Sequence, residues 1–544
     1  MKRWQKRRLA LSRILILASS LAIILQSIFH AAVVYLCLPA LATGAHAGGA
    51  RVRTSDAREH YEAGIKAYKG GNLKEAEREF RTALELEPNF LEARENLGVT
   101  LGRLGDLDAA IADLRQVVAA RPNSAEAHYN LGLVLLQEKN NAGARQEFRK
   151  AIDLEPDYPE AQNNLGLLEE DANDVAGALH AFEKAVQLQP RYAEARNNFG
   201  QLLARQGRED DAIAQFRTAL QARPDFAQAH ENLGLALWRK RDLEAAAAEL
   251  RQAASLGLAD ALISLGVVLG EEGDLDAAIA AHRQAVELLP QDGEAHYLLG
   301  GGLQQRGDLE AAGAELEKAL EIDARLVPSR VLLGLVLRQL GRFEESAHEL
   351  RAAAALDPQS AEAHYQLGFT LRRQGSFDEA ARELRRALAL KPNYSEAYYV
   401  LGETLRQMGN QDEAKAAFAE VEVLRRADAE FAEAKTQYHL GLQSLERGDV
   451  RTARDAFAKA LAIKPDFPEA RTNLGGALLK LGETDSAIGQ FRAALDLQPD
   501  DARAYYDLAL ALEKKGDTVN SRKARQRALA LDPRLSESVS TPRP

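Results

Sequence analysis

Apolar positions recur along this chain at spacings of three and four. In residues 125–158, Ala127, Leu131, Val134 and Leu135 share one face, which predicts a helix from Ala125 to Glu138. Asn140 and Asn141 interrupt it. A second helix is predicted from about Ala142 to Leu154, with Ala144, Phe148 and Ala151 on its apolar face, and Pro156 prevents it from continuing.

The pattern returns every 34 residues, marked by a small residue in one slot from Gly64 and Gly98 to Gly475 and Ala509. The spacing shortens to 32 between Gly234 and Gly266 and lengthens to 39 between Gly402 and Gly441. Repeats begin at 57, 91, 125, 159, 193, 227, 259, 293, 327, 361, 395, 434, 468 and 502, and the last ends at 535. Eleven of the seventeen prolines stand at the thirty-second position, where the second helix must stop. Small residues at positions eight, twenty and twenty-seven let helices approach closely. A large residue at position twenty-four, such as Phe80, Phe148 or Phe418, fills the gap. One such helix pair cannot bury its apolar face alone, so the units must stack.

This signature resembles the tetratricopeptide repeat family over residues 57–535. The resemblance implies an all-α, right-handed solenoid of antiparallel helix pairs, about fourteen units long, whose first helices line a concave groove. Residues 57–426 read as repeats one to eleven and 434–535 as repeats twelve to fourteen. Between them, 427–433 reads as an irregular junction, because repeat eleven lacks its proline and five extra residues follow. The final repeat places Ser521 and Arg525 where apolar residues belong and reads as a polar cap. Residues 48–56 read as a linker and 536–544 as a disordered tail.

Charge divides the chain. Residues 1–53 carry eight basic and no acidic side chains; the rest carries 61 basic against 80 acidic, a net of −19. An acidic body lacks the basic footprint that nucleic acid requires. At the N-terminus, six basic residues precede an apolar run over 14–42, which is long enough to span a bilayer. Ala45-His46-Ala47 then offers a small-x-small cleavage site. Residues 1–47 are expected to be a signal peptide or an N-terminal membrane anchor. Either places the body in a bacterial cell envelope, on the periplasmic side. The single cysteine, Cys37, lies inside the apolar run and excludes an intrachain disulfide framework.

Catalytic signatures are missing. The chain has no phosphate-cradling glycine loop, H-E-x-x-H motif or nucleophile elbow. Gly300-Gly301-Gly302 falls within a helix. His60, His128, His230, His296 and His364 repeat at position four and read as packing residues, not metal ligands. No enzyme activity, metal or cofactor is expected.

Two constellations carry the binding expectation. Asn96, Asn130, Asn164, Asn198 and Asn232 occupy position six of repeats two to six, with Asn473 in repeat thirteen. Stacked in register, these amides form a ladder that can pair with both polar groups of an extended peptide. The ladder resembles that in the repeat half of O-linked N-acetylglucosamine transferase, whose catalytic half has no counterpart here. Asparagine at this slot also serves helix packing, and that alternative stays open. The second constellation is aromatic and basic: Tyr297, Arg338, Tyr365, Phe369, Arg372, Arg373, Tyr399, Arg406 and Tyr438. It suits an acidic or aromatic-bearing partner segment. No repeat has Lys or Arg at position five, which the family's carboxylate-capturing mode requires.

The expected function is a non-enzymatic scaffold that holds extended segments of partner proteins and organises an envelope assembly, with a membrane contact through 14–42 if that segment is retained. The rival expectation is an accessory component for polysaccharide export or secretion, whose tyrosines contact a glycan.

Overall fold

Each repeat turns its corner the same way. The first helix ends at a left-handed residue in the fifteenth position, which is glycine in most repeats, as at Gly105 (φ 87°) and Gly375 (φ 87°). Lys139, Asn173 and Arg241 hold the same corner with φ of 61–67° and no glycine. The break after the helix over 125–137 is therefore made by Lys139, not by Asn140 and Asn141. Asn140 instead caps the next helix, its side-chain oxygen accepting from the Gly143 N–H at 3.0 Å. Asp174, Asp274 and Asp449 cap in the same way. Each such cap stabilises its helix by about 1 kcal/mol.

The computed structural model describes residues 48–532 and Leu535. The expected leader or anchor over 1–47 and the tail over 536–544 lie outside them. Among the described residues there are twenty-seven α-helices and no strands, an all-α solenoid architecture. No helix among them is long and apolar enough to cross a membrane. Fourteen pairs require twenty-eight helices. One is missing because Gln411–Glu446, 36 residues long, is both the second helix of repeat eleven and the first of repeat twelve.

That helix corrects the expected irregular junction. Residues 427–433 are helical throughout. Between Gln411 and Glu446 there is no proline and only one glycine, Gly441, and Ala, Glu, Arg and Leu dominate. Such residues favour the helix even without tertiary packing. The expected linker over 48–56 is likewise part of a helix, Gly48–Lys69. No proline stands between Gly48 and Glu87, and the packed turns nucleate a helix that extends backward from Ala57.

The chain divides into two compact units, 1–307 and 308–544. The boundary falls inside repeat eight, between Gly293–Arg306 and Leu309–Ile322, and not at 427–433. Gly300-Gly301-Gly302 lies mid-helix in the first of these. Within each unit every helix packs on its sequence neighbours.

The core is a small-against-large joint repeated along each stack. Phe148 is fully buried, and a Cβ built on Gly132 would meet its ring at 2.7 Å. No real Cβ sits that close, so the small residue at position eight is a requirement of the large one at twenty-four. Burying such a ring stabilises the repeat by roughly 2–3 kcal/mol.

Candidate functional site

The first helix of each pair carries the candidate ligands. Positions four, five and six of these helices have separate roles.

Position four is a structural clasp. The His128 ring faces Glu147 Oε2 at 2.6 Å and the Pro122 carbonyl at 3.1 Å. His230 and His364 repeat both contacts. Arg94 and Arg471 make equivalent ones, Arg94 donating to Asp113 at 3.0 Å and to the Pro88 carbonyl at 2.9 Å. Both ring nitrogens face oxygen acceptors, an arrangement that arginine meets equally well. The clasp ties the two helices of a repeat to the loop before it. Among the described residues no three His, Cys, Asp or Glu side chains are grouped to hold a metal ion.

Position six bonds to position five of the repeat before. Asn96 Nδ2 donates to Tyr61 Oη at 3.2 Å, Asn130 to Glu95 Oε1 at 3.0 Å, and Asn164 to Tyr129 Oη at 3.1 Å. Asn198 donates to Asn163 Oδ1 at 3.0 Å and Asn232 to Asn197 Oδ1 at 2.9 Å. Asn473 reaches Tyr438 Oη at 3.0 Å in the second unit. Each amide in the predicted ladder thus spends a donor on its neighbouring repeat. Asn163, Asn164, Asn197 and Asn198 are buried, so those bonds are shielded from water.

The position-five tyrosines are also partly spent. Tyr129 stacks on Tyr158 at 4.8 Å, Tyr365 on Tyr394 at 4.7 Å and Tyr438 on Phe467 at 5.0 Å. The partner ring comes from the last position of the same repeat, a pairing that spacing within the first helix does not reveal. Its signal was present: Phe90, Tyr158, Tyr192, Phe226, Tyr394 and Phe467 recur at position thirty-four.

Carboxylates line the first unit's wall at position two: Glu92, Glu126, Glu160 and Glu194. Glu92 pairs with Arg121 at 2.6 Å and Glu194 with Arg223 at 2.7 Å. Repeats three and four have Glu155 and Gln189 where those arginines stand. Glu126 keeps solvent on one side. The wall still removes enough water, with Glu95 adding repulsion, to push its carboxyl up to about 7. Desolvation also raises Glu95 and Glu160.

The second unit's wall has the opposite character. The Arg338 guanidinium lies 4.6 Å over the Phe369 ring and Arg372 lies 5.8 Å from it. Arg338 also donates to Gln366 Oε1 at 2.7 Å, and desolvation lowers its pKa. Tyr365 meets Phe369 edge-on at 6.3 Å. Tyr394 Oη donates to Glu362 at 2.6 Å. Four residues, Arg338, Tyr365, Phe369 and Arg372, therefore form one cluster. The other predicted members are not part of it. Arg373 lies over Phe343 at 5.9 Å, Arg406 pairs with Glu403 at 2.8 Å, and Tyr399 is exposed against Phe418. Tyr438 sits on Phe467 in repeat twelve, and Tyr297 is in the first unit.

Comparison with known sequence families decides the classification. Tetratricopeptide repeat descriptions match residues 61–111, 100–159, 163–225, 198–261 and 263–326, then 334–375, 371–438, 444–511 and 502–535. The chain belongs to the tetratricopeptide repeat family. A search of curated proteins finds no match. Among solved structures, one of MamA is 25% identical, covering 30% of this chain and 96% of its own, with a TM-score of 0.29. The Cut9–Hcn1 assembly of the APC/C is 18% identical over 89% of this chain and 95% of its own, TM-score 0.36. YrrB, described as a tetratricopeptide repeat protein with an unusual peptide-binding site, is 22% identical over 40% of this chain and 97% of its own, TM-score 0.28. Tetratricopeptide repeats build protein-interaction scaffolds and are generally non-catalytic. In this tetratricopeptide repeat chain, the first-helix wall of each unit is where such an interaction has polar and aromatic groups to use.

Proposed function

We propose that this protein is an exported, non-enzymatic scaffold whose second unit takes an extended partner segment bearing carboxylates or aromatic side chains. The supporting observation is the Arg338–Phe369–Arg372 cluster. Two cations share one half-exposed ring, and Arg338 is partly desolvated without a carboxylate partner of its own. A partner carboxylate gains a charge-assisted bond there at little cost in side-chain ordering. The asparagine row contributes differently: its donors hold the repeats in register. Export follows from the basic flank and the apolar run over 14–42, and an envelope location follows from export.

The test is in-cell crosslinking and pull-down, with partners read by mass spectrometry. Wild type is compared with the triple variant Arg338→Ala, Phe369→Ala, Arg372→Ala, with helicity checked by circular dichroism. Loss of specific partners with the fold intact supports the reading; an unchanged partner set refutes it. The N-terminal peptide recovered from the same sample tests export: cleavage after Ala47, or membrane retention of the intact chain, supports it. A full-length chain in the cytosolic fraction overturns it.

A further inference from the structure

Within the second unit the stack of repeats is interrupted between repeats eleven and twelve, and both faces at the interruption are built as interior faces. Position seven shows it from one side. In ten repeats the leucine there is only 2–7% exposed. Position seven is exposed in just two of the fourteen repeats: Ala63 of the first and Leu440 of the twelfth, the latter at 44%. The first repeat has no predecessor and carries only a methyl group at that point. The twelfth has a predecessor in sequence yet carries a full leucine that nothing covers.

Repeat eleven shows it from the other side. Phe418 is half-buried, whereas Phe80, Phe148, Phe182, Phe216, Phe457 and Phe491 at the same position are 0–1% exposed. Tyr399 is 53% exposed, against 6% for Tyr129 in the equivalent slot. Repeat fourteen, the last of the described repeats, keeps a tyrosine, Tyr506, at position five but is polar at positions twenty and twenty-four. Arg525 replaces the aromatic and pairs with Glu513, and Ser521 bonds to the Ala509 carbonyl at 2.9 Å. Repeat eleven has no such cap.

The two faces cannot meet within one chain. Gln411–Glu446 is one helix, and all nine residues from Arg425 to Glu433 are exposed. Nine helical residues span about 13 Å, and none is a glycine or proline that would allow the reversal that stacking requires. Another molecule can supply both missing halves at once, provided it is the same molecule.

We propose that a second copy of this chain covers the break. Repeat twelve of each copy stacks on repeat eleven of the other, in a two-fold exchange of repeats twelve to fourteen. The exchange is isologous and closes on itself. The linking helices then cross antiparallel near Ala429. That sets Arg425 and Arg426 of one copy against Glu430 and Glu433 of the other, with Ala427, Ala429 and Ala432 allowing close approach.

The test is light scattering of the purified full chain at micromolar concentration, for wild type and two variants. Leu440→Glu places a charge on the uncovered face. It is expected to weaken the dimer at least tenfold with helicity unchanged. The second variant removes 429–433 and carries Arg426→Pro, which restores the 34-residue spacing and the helix stop. It is expected to be monomeric, because repeat twelve can then stack on its own repeat eleven. Three results overturn the proposal: a monomeric wild type, a dimer that survives Leu440→Glu, or a folded deletion variant that stays dimeric. If the deletion variant does not fold, the wild type and Leu440→Glu decide the matter alone.

Discussion

The two walls are made from the same slots and do different work. In repeats two to six the slots at positions five and six hold Asn, Glu and Tyr, which bond to one another across repeat boundaries. In repeats nine and ten, arginines at position twelve converge on Phe369 at position nine, and their cations are not consumed by a neighbouring carboxylate. The first wall is closed by its own hydrogen bonds; the second keeps charge and an aromatic edge toward solvent. A side chain in a repeat protein is therefore available to a partner only if the next repeat does not claim it first.

The comparison breaks most visibly in the ring pair beneath each wall. Tyr129 rests on Phe148 at 5.7 Å and Tyr399 on Phe418 at 5.8 Å. Phe148 is fully buried and Phe418 is not. Phe148→Ala should cost about 3–5 kcal/mol of local stability by chemical denaturation, and Phe418→Ala about half of that in the monomeric Leu440→Glu background, where no second copy covers the ring. Equal costs would mean that the end of repeat eleven is as well covered as the interior.

The buried bonds of the first wall come next. Asn198→Ala strands the Asn163 carbonyl oxygen and should cost about 1–3 kcal/mol. Asn473→Ala breaks a half-exposed bond and should cost less than about 1 kcal/mol. A quintuple asparagine variant should therefore lose repeat register along with any ligand, whereas Phe369→Ala should lose about tenfold in partner affinity, about 1.4 kcal/mol, with little change in melting temperature.

A smaller effect tests the corner residues. Lys139 holds a left-handed conformation that costs a side chain about 1 kcal/mol, so Lys139→Gly should stabilise repeat three by about 0.5–1 kcal/mol. The smallest effect is electrostatic. The Glu126 carboxyl is raised to about 7 in the folded chain. Its proton favours the folded state, so stability from this group is complete below the ordinary carboxylate range and is lost as pH rises toward 7. Glu126→Gln should match wild type at pH 4 and exceed it above pH 7. The gain should be about 1 kcal/mol or less, because water reaches the group.

Much of this was legible in the sequence. The period, the repeat boundaries, the small-against-large joint of Gly132 with Phe148 and the polar cap at Ser521 and Arg525 all follow from side-chain size and polarity at fixed spacing. The histidines at position four, read from the sequence as packing residues, form the clasp at His128, His230 and His364. The aromatic and basic cluster was partly legible: Arg338, Tyr365, Phe369 and Arg372 converge, but Arg373, Tyr399, Arg406 and Tyr438 are drawn to other partners and Tyr297 belongs to the first unit. Spacing along one helix cannot say which neighbour a long side chain will choose.

The sequence alone determined that this chain is a stack of helix pairs, because helix formation and the burial of one apolar face per helix are local properties repeated fourteen times. The tertiary structure decided where the asparagine donors point, which tyrosines lose a ring face, and that repeats eleven and twelve share one helix. Those outcomes depend on competition between neighbours. An amide turns to the residue that the preceding repeat supplies, and a helix continues wherever nothing packed against it rewards a turn.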